Sequence, residues 1–307
     1  MTMDSKGLIS QRVLVTGANG QLGTEVVKLL AKEGALGDGS RVLLFATDLD
    51  KLDITKREEV IDFVKENGIK MIVNCAAYTA VDKAEQEREA CFAANSDAPA
   101  NLAVAAAAMD ALLVHISTDY VFDGNGPLPY KEDDITAPTS VYGQSKVKGE
   151  RMVAESCSKH LILRTSWLYS PYGNNFVKTI ARLSRQRESL DVVFDQIGTP
   201  TYSGDLAVAI VAMLGEYCKR GYEKDFPYGI YHYSNEGVCS WYDFAVEIAK
   251  GSGTGCKVLP VTSGMFPTAA KRPPYSVMDK TKIKRNFSMS IPHWKDSLEI
   301  CLKLLKQ

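Results

Sequence analysis

The sequence predicts an α/β protein: a doubly wound parallel sheet with helices on both faces, followed by a smaller mixed lobe. Three observations predict it. Short, unbroken apolar runs alternate with helically spaced ones through the first half of the 307-residue chain. A glycine-rich turn joins the first of these runs to the first helical stretch. After about Thr165 the rhythm changes and Gly and Pro become denser. At roughly 150 residues per domain, the length suits one large unit or two unequal ones. We expect residues 10–165 mainly to form the first and 166–307 mainly the second, with some later elements returning to the main sheet.

Arg12 to Thr16 is a compact β-branched run and reads as the first strand. Behind it Leu22, Val26, Val27, Leu29 and Leu30 recur at helical spacing. Val42 to Ala46, Met71 to Val73, Leu112 to Ile116 and Leu161 to Leu163 are the next strands. Each is apolar throughout rather than alternating, as strands buried on both faces are. Between them, Glu58 to Glu66 puts Val60, Ile61 and Val64 on one side. Glu85 to Ala108 reads as one long Ala-rich helix apart from Pro99, and Val141 to Ser158 as another. Right-handed crossovers place such helices on both sheet faces. In the second half, helices are expected at Asn175 to Ser184, Gly204 to Tyr217, Ser240 to Ala249 and Trp294 to Leu305. Ile230 to Tyr233 reads as a strand able to rejoin the main sheet.

Composition narrows the function classes. Hydrophobic residues make up 45% and charged residues 24%, a globular mix. The net charge of −1 gives no global field to draw in nucleic acid or an anionic membrane, and neither is an expected partner. The longest apolar run, Leu102 to Val114, is broken by Asp110 and too short to span a bilayer. Met1 to Arg12 lacks the apolar core of a secretory signal and reads as a short lead-in. Seven cysteines are widely spread with no Cys-x-x-Cys pair, which points to reduced thiols and a cytoplasmic protein. The four histidines form no metal-binding spacing, so no metal site is expected.

The chemistry sits at the ends of the expected strands. Thr16-Gly17-Ala18-Asn19-Gly20-Gln21-Leu22-Gly23 follows the first strand and opens a helix. Gly17, Gly20 and Gly23 permit a tight turn and close backbone approach, and the helix start offers free N–H groups to a pyrophosphate. This is a dinucleotide-binding, Rossmann-like arrangement. Its Gly-x-x-Gly-x-x-Gly spacing after a Thr is the pattern of the short-chain dehydrogenase/reductase superfamily. Asp48, at the end of the second strand, suits ribose hydroxyls or is a surface turn residue. It disfavours a ribose 2′-phosphate and leans toward NADH, although Lys51 or Arg57 can offset it. Asp53 and Ile54 are placed to flank an adenine. Ala76 and Ala77, within Asn74-Cys75-Ala76-Ala77-Tyr78, let a cofactor lie close to the third strand.

The fourth strand ends in Ser117-Thr118-Asp119-Tyr120, where a Thr118 hydroxyl can meet a substrate carbonyl. Tyr142-Gly143-Gln144-Ser145-Lys146 follows on a helix, and the spacing puts Tyr142 and Lys146 on one face. A nearby ammonium favours a phenolate, and the lysine can also hold the nicotinamide ribose. Together these features suit hydride transfer to a carbonyl, with Tyr142 supplying the proton to its oxygen.

These residues resemble the dTDP-4-dehydrorhamnose reductase family, extended members of that superfamily. The resemblance rests on Val13 to Gly23, Leu52-Asp53-Ile54-Thr55, Asn74 to Glu85 and Ser117 to Gly124. It continues through Arg164 to Tyr169, Asp195 to Thr201 and Arg272 to Ser276, and so covers nearly the whole chain. It implies reduction of the C4 keto group of dTDP-4-dehydro-L-rhamnose to dTDP-L-rhamnose with NADPH or NADH. It matches Thr118, Tyr142 and Lys146 to the catalytic trio, and Thr118, Asp119 and Trp167 to substrate contacts. Asn19, Gln21, Leu22 and Tyr78 join the cofactor set. Trp167 either covers a sugar face or packs between lobes. Asn175 starts a helix that suits a diphosphate, or simply caps it. Arg272 can neutralise a phosphate or stay on the surface. Some family members are dimers with magnesium near the interface; a homodimer is in keeping with this, but no magnesium site is recognisable here.

Two other readings stand beside this one. One is another nucleotide-sugar reductase or epimerase; a dehydratase lacks support, because Thr118-Asp119 is followed by Tyr120 rather than Glu. The other is a non-catalytic NADP-binding regulatory subunit resembling the methionine adenosyltransferase β subunit.

Overall fold

The structure is a computed structural model and describes all residues except 1, 4–8, 38, 221–225 and 307. Its main sheet is built from β1 (Ile9–Thr16), β2 (Arg41–Thr47), β3 (Met71–Asn74), β4 (Leu112–Thr118), β5 (His160–Thr165) and β6 (Gly229–His232). They lie in the order β2-β1-β3-β4-β5-β6, and every neighbouring pair is parallel. Thr2–Met3 adds an antiparallel pairing to the start of β1. The strand thus begins at Ile9 rather than at Arg12, because the expected lead-in pairs with β2 from Ser10 onward. The rest of that lead-in, 4–8, lies outside the described residues.

Successive side chains of these strands point to opposite faces, which is why unbroken apolar runs were needed. Val13, Val15, Met71, Val73, Val114 and Leu161 pack on one face against α1 (Gln21–Glu33) and α6 (Ser203–Lys219). Leu14, Ile72, Leu113 and Ile162 pack on the other face against α2 (Arg57–Glu66), α3 (Ala98–Ala108) and α4 (Val141–Ser156). A separate core holds α5 (Phe176–Leu183), α7 (Trp241–Gly251) and α8 (Trp294–Leu304) together through Val177, Ile180, Phe244, Ile248, Trp294 and Leu298. A parallel strand pair, Ser189–Val193 with Lys257–Val261, flanks it. No helix among the described residues is long and apolar enough to cross a membrane.

One expected helix is corrected. Glu85 to Ala108 is not continuous: Arg88–Phe92 runs into a π-turn, Ala93–Asp97, before α3 begins. Pro99, near the start of α3, has no N–H to give to the preceding turn, and the wider π register removes the need for one.

From β1 the chain goes first to β2 on one side and then to β3 on the other. The carboxyl ends of β1 and β3 therefore border the topological switch point, where open α/β sheets bind ligands.

Candidate active site

The glycine turn lies at that switch point. Gly17 has φ +65°, and a Cβ there would fall 2.6 Å from Ala76 N. Only glycine lets the ends of β1 and β3 approach so closely. Gly23 is equally constrained, since its Cβ would lie 2.1 Å from Gly17 O. Leu22 and Gly23 are buried beneath the turn, whereas Gly20 is the uncapped residue before α1 and leaves the helix-end N–H groups free. The first turn of α1 carries no acidic side chain that would repel a phosphate.

Beside the turn is a cleft of about 260 Å³. Gly17, Asp48, Asp53, Ile54, Ala76, Ala77 and Tyr78 all line it, with Thr16 and Leu52. Asp48 Oδ2 accepts from the backbone N–H of Asn19 at 3.0 Å, tying the second strand end to the glycine turn. Asp53 accepts from the Thr55 hydroxyl and N–H, and these hydrogen bonds hold its carboxyl below the usual range. The cleft brings together the glycine turn, the free helix terminus and the Asp48 carboxylate.

Thr118 ends β4 and Tyr142 lies in the first turn of α4, which brings the Thr118 hydroxyl beside the Tyr142 phenol. Gly143 makes this possible, because a Cβ there would lie 2.3 Å from Tyr120 O. The Tyr120 ring packs edge-on to Tyr142, with centroids 5.8 Å apart. Burial raises the Tyr142 phenol above its ordinary pKa, and the Thr118 hydroxyl opposes the rise. Thr118 Oγ1 also donates to Asp119 Oδ1 at 3.0 Å. Asp119 is buried, its Oδ2 makes no well-formed hydrogen bond, and desolvation lifts its pKa to about 6. The hydroxyls of Ser276 and Thr118 limit that rise.

Lys146, one turn after Tyr142, is 1% exposed, and burial lowers its pKa to about 8. Its Nζ donates to Ile116 O at 2.6 Å and lies 3.4 Å from His115 Nε2. Burial rather than the lysine dominates the tyrosine's environment.

The remaining predicted residues lie around this centre in different ways. Trp167 has φ +48°, and its indole stacks on Trp241 with centroids 3.7 Å apart. The ring also lies against Gly198, where a Cβ would come within 2.7 Å of it and 2.9 Å of Ser276 Oγ. Trp167 is thus linked to Asp119 through Gly198 and Ser276. Asn175 caps α5 by accepting from Lys178 N, and its amide donates to Gln21 Oε1 at 2.9 Å and to Ser170 O at 2.8 Å. It anchors the glycine turn to the second lobe. Arg272 makes a two-pronged ion pair with Asp82, at 2.6 and 2.9 Å, and so holds a distant loop over the first lobe.

Sequence reasoning missed Asn95. It is fully buried in the π-turn, accepts from Tyr78 N at 2.9 Å and donates to Tyr78 O at 3.0 Å and to Ser145 Oγ at 3.1 Å. It fastens the cofactor cleft to α4. A polar residue within an Ala-rich helix was the available signal.

Known proteins resemble the chain over nearly its whole length. The family model described as "RmlD substrate binding domain" matches residues 11–307. A dTDP-4-dehydrorhamnose reductase of Aggregatibacter actinomycetemcomitans is 42% identical, over 94% of this chain and 97% of its own length. The crystal structure of dTDP-4-dehydrorhamnose reductase from Bacillus anthracis in complex with NADP is 42% identical. It superimposes with a TM-score of 0.87, covering 96% of this chain and all of that one. A Thermus thermophilus UDP-glucose 4-epimerase complexed with NAD has a TM-score of 0.77 at 18% identity, over 96% and 99% of the two chains, and shares the fold. The chain belongs to the RmlD substrate-binding-domain family, that of the dTDP-4-dehydrorhamnose reductases.

Proposed function

We propose that this protein reduces the C4 keto group of dTDP-4-dehydro-L-rhamnose to dTDP-L-rhamnose with NADPH or NADH. The observation that carries the proposal is that Thr118, Asp119 and Tyr142 come together at the carboxyl end of β4, in the same sheet whose β1 and β3 ends carry the glycine-cradled cleft. A reduced nicotinamide, when bound, supplies the hydride. The keto oxygen is then held by the Thr118 hydroxyl, and Tyr142 gives its phenolic proton to that oxygen as negative charge develops on it. The raised pKa of Tyr142 keeps the phenol protonated, as a donor must be, across the neutral range. The Thr118 hydroxyl has one proton, which it gives to Asp119 Oδ1 in the structure and turns to the keto oxygen to hold the substrate. The stacked pair Trp167 and Trp241 offers an apolar wall on the sugar side. In this reading residues 10–165 mainly hold the cofactor and 166–307 mainly the sugar nucleotide.

Nicotinamide absorbance tests the proposal. Purified protein should oxidise NADPH or NADH only when the 4-keto dTDP-sugar is present, and the product should be dTDP-L-rhamnose. Cofactor binding without oxidation would instead favour a regulatory subunit.

A further inference from the structure

The side of α1 that meets the second lobe is polar. Gln21, Glu25 and Lys28 recur at i, i+4 and i+7 and so share one face of the helix. Each has a partner from the second lobe. Gln21 receives Asn175, Glu25 faces the Tyr202 phenol, and the Lys28 ammonium donates to the Tyr172 hydroxyl at 2.7 Å. Gln21 is also the first residue of α1, next to the free N–H groups that the glycine turn leaves for a pyrophosphate. The polar seam between the lobes therefore ends at the cofactor's charged centre.

The amides at this end are oriented by a fixed donor. The backbone N–H of Lys178 can only donate, and Asn175 Oδ1 accepts it at 3.1 Å. Asn175 thus turns Nδ2 toward Ser170 O, at 2.8 Å, and toward Gln21, at 2.9 Å. The Gln21 atom that receives an amide proton must be Oε1. Its Nε2 is left as a donor with no protein partner among the described residues. Gly173 lets the loop lie this close: it has φ +59°, and a Cβ there would fall 3.2 Å from Gln21 Cγ. Both amide protons of Asn175 are spent inside the protein, so its side chain serves the joint between the lobes rather than a ligand.

We propose that Asn175 and Gln21 form an inter-lobe latch through which cofactor binding at the start of α1 and sugar-nucleotide binding in the second lobe strengthen one another. Asn175 holds the Gln21 amide in one orientation, with Nε2 ready to donate to the pyrophosphate. A bound pyrophosphate fixes Gln21 in return and so favours the latch. The two effects are a single coupling free energy and are equal. Asn175 is then a positioning residue, acting on the cofactor through Gln21. The proposal rests on the reading of the first lobe as the cofactor lobe and the second as the sugar-nucleotide lobe, but its first test needs the cofactor alone.

NADPH affinity is measured by fluorescence for the unaltered protein, Asn175→Ser, Gln21→Met and the double variant, with Tm recorded for each. Serine keeps a cap oxygen for α5 but lacks the amide donor. Asn175→Ser should bind NADPH about fivefold more weakly, the worth of one hydrogen bond, and the double variant no more weakly than Gln21→Met alone. Lys28→Met cuts the same seam two turns away and should bind as the unaltered protein does. Unchanged affinity in Asn175→Ser, additive losses in the double variant, or an equal loss in Lys28→Met overturns the latch. Hydrogen exchange of the unaltered protein needs no variant: saturating NADPH should slow exchange across α5, and no slowing there overturns the latch as well. Calorimetry with dTDP completes the test. NADPH should tighten dTDP binding about fivefold in the unaltered protein and not in Asn175→Ser. Binding of dTDP that is indifferent to NADPH overturns the latch, whereas absence of dTDP binding overturns the sugar-nucleotide reading itself.

Discussion

Gly17→Ala should damage both stability and cofactor binding, by an amount the structure allows to be worked out. The substitution meets two costs. The residue has φ +65°, a left-handed conformation costing a non-glycine residue about 1–2 kcal/mol. The new Cβ also lies 2.6 Å from Ala76 N and 2.8 Å from Cys75 C, both backbone atoms of the half-buried segment just after β3. Overpacking of that kind costs about 1–3 kcal/mol. Alanine recovers about 0.4–1 kcal/mol by restricting the unfolded chain. The net loss is about 3 kcal/mol. With an unfolding entropy of about 2.1 cal/mol/K per residue, that lowers Tm by about 5 °C. Gly34, at the end of α1, is the control: it also has φ +65°, but nothing lies within 4 Å of its would-be Cβ. Gly34→Ala meets only the dihedral cost, and should lower Tm by about 1–2 °C without changing cofactor affinity. Thermal unfolding by circular dichroism and NADPH binding by fluorescence measure both effects. If Gly17→Ala melts no lower than Gly34→Ala and binds NADPH equally well, the close approach of β1 and β3 is refuted as the reason for this glycine.

Other outcomes follow from the same geometry. Asp48→Asn keeps an acceptor for Asn19 N–H but removes the charge beside the ribose, so NADPH should gain about tenfold over NADH in a competition titration. Asp119 has its folded pKa raised by burial to about 6, above the unfolded value. Any stability from that shift is present below about pH 4 and lost as pH rises through 6, so the charged carboxylate burdens the fold at neutral pH. Asp119→Asn should therefore raise Tm at pH 8, by up to about 3 kcal/mol of stability, with the gain vanishing near pH 4. Gly143→Ala would put a Cβ 2.3 Å from Tyr120 O and displace Tyr142. Its turnover should fall more than tenfold while NADPH affinity stays near that of the unaltered protein, as steady-state kinetics and fluorescence would show.

Where one local pattern carries the information, the sequence was readable. Unbroken apolar runs marked the buried parallel strands within a few residues, and the glycine spacing marked the tight turn at Gly17. What escaped depends on long-range pairing or weak patterning. Thr281–Phe287 buries only Ile283, too little to give a periodic signal. Ser189–Val193 and Lys257–Val261 alternate or lie largely exposed, unlike the core strands. Arg272 and Asp82 are 190 residues apart, so nothing local announces their ion pair. Asn175 reads as a helix cap, and is one, but its tie to Gln21 across the lobes needs three dimensions. His115 and Asn74 look like polar interruptions of two strands; only the register places them side by side.

Tyr142, beside Thr118 at the end of β4, is proposed to donate the proton that completes carbonyl reduction. The direct measurement is the rate of NADPH oxidation by Tyr142→Phe with saturating 4-keto dTDP-sugar, alongside its Tm and NADPH affinity. Loss of one general acid should slow oxidation about 100-fold or more while Tm and affinity stay close to those of the unaltered protein. Oxidation at the unaltered rate would contradict the account.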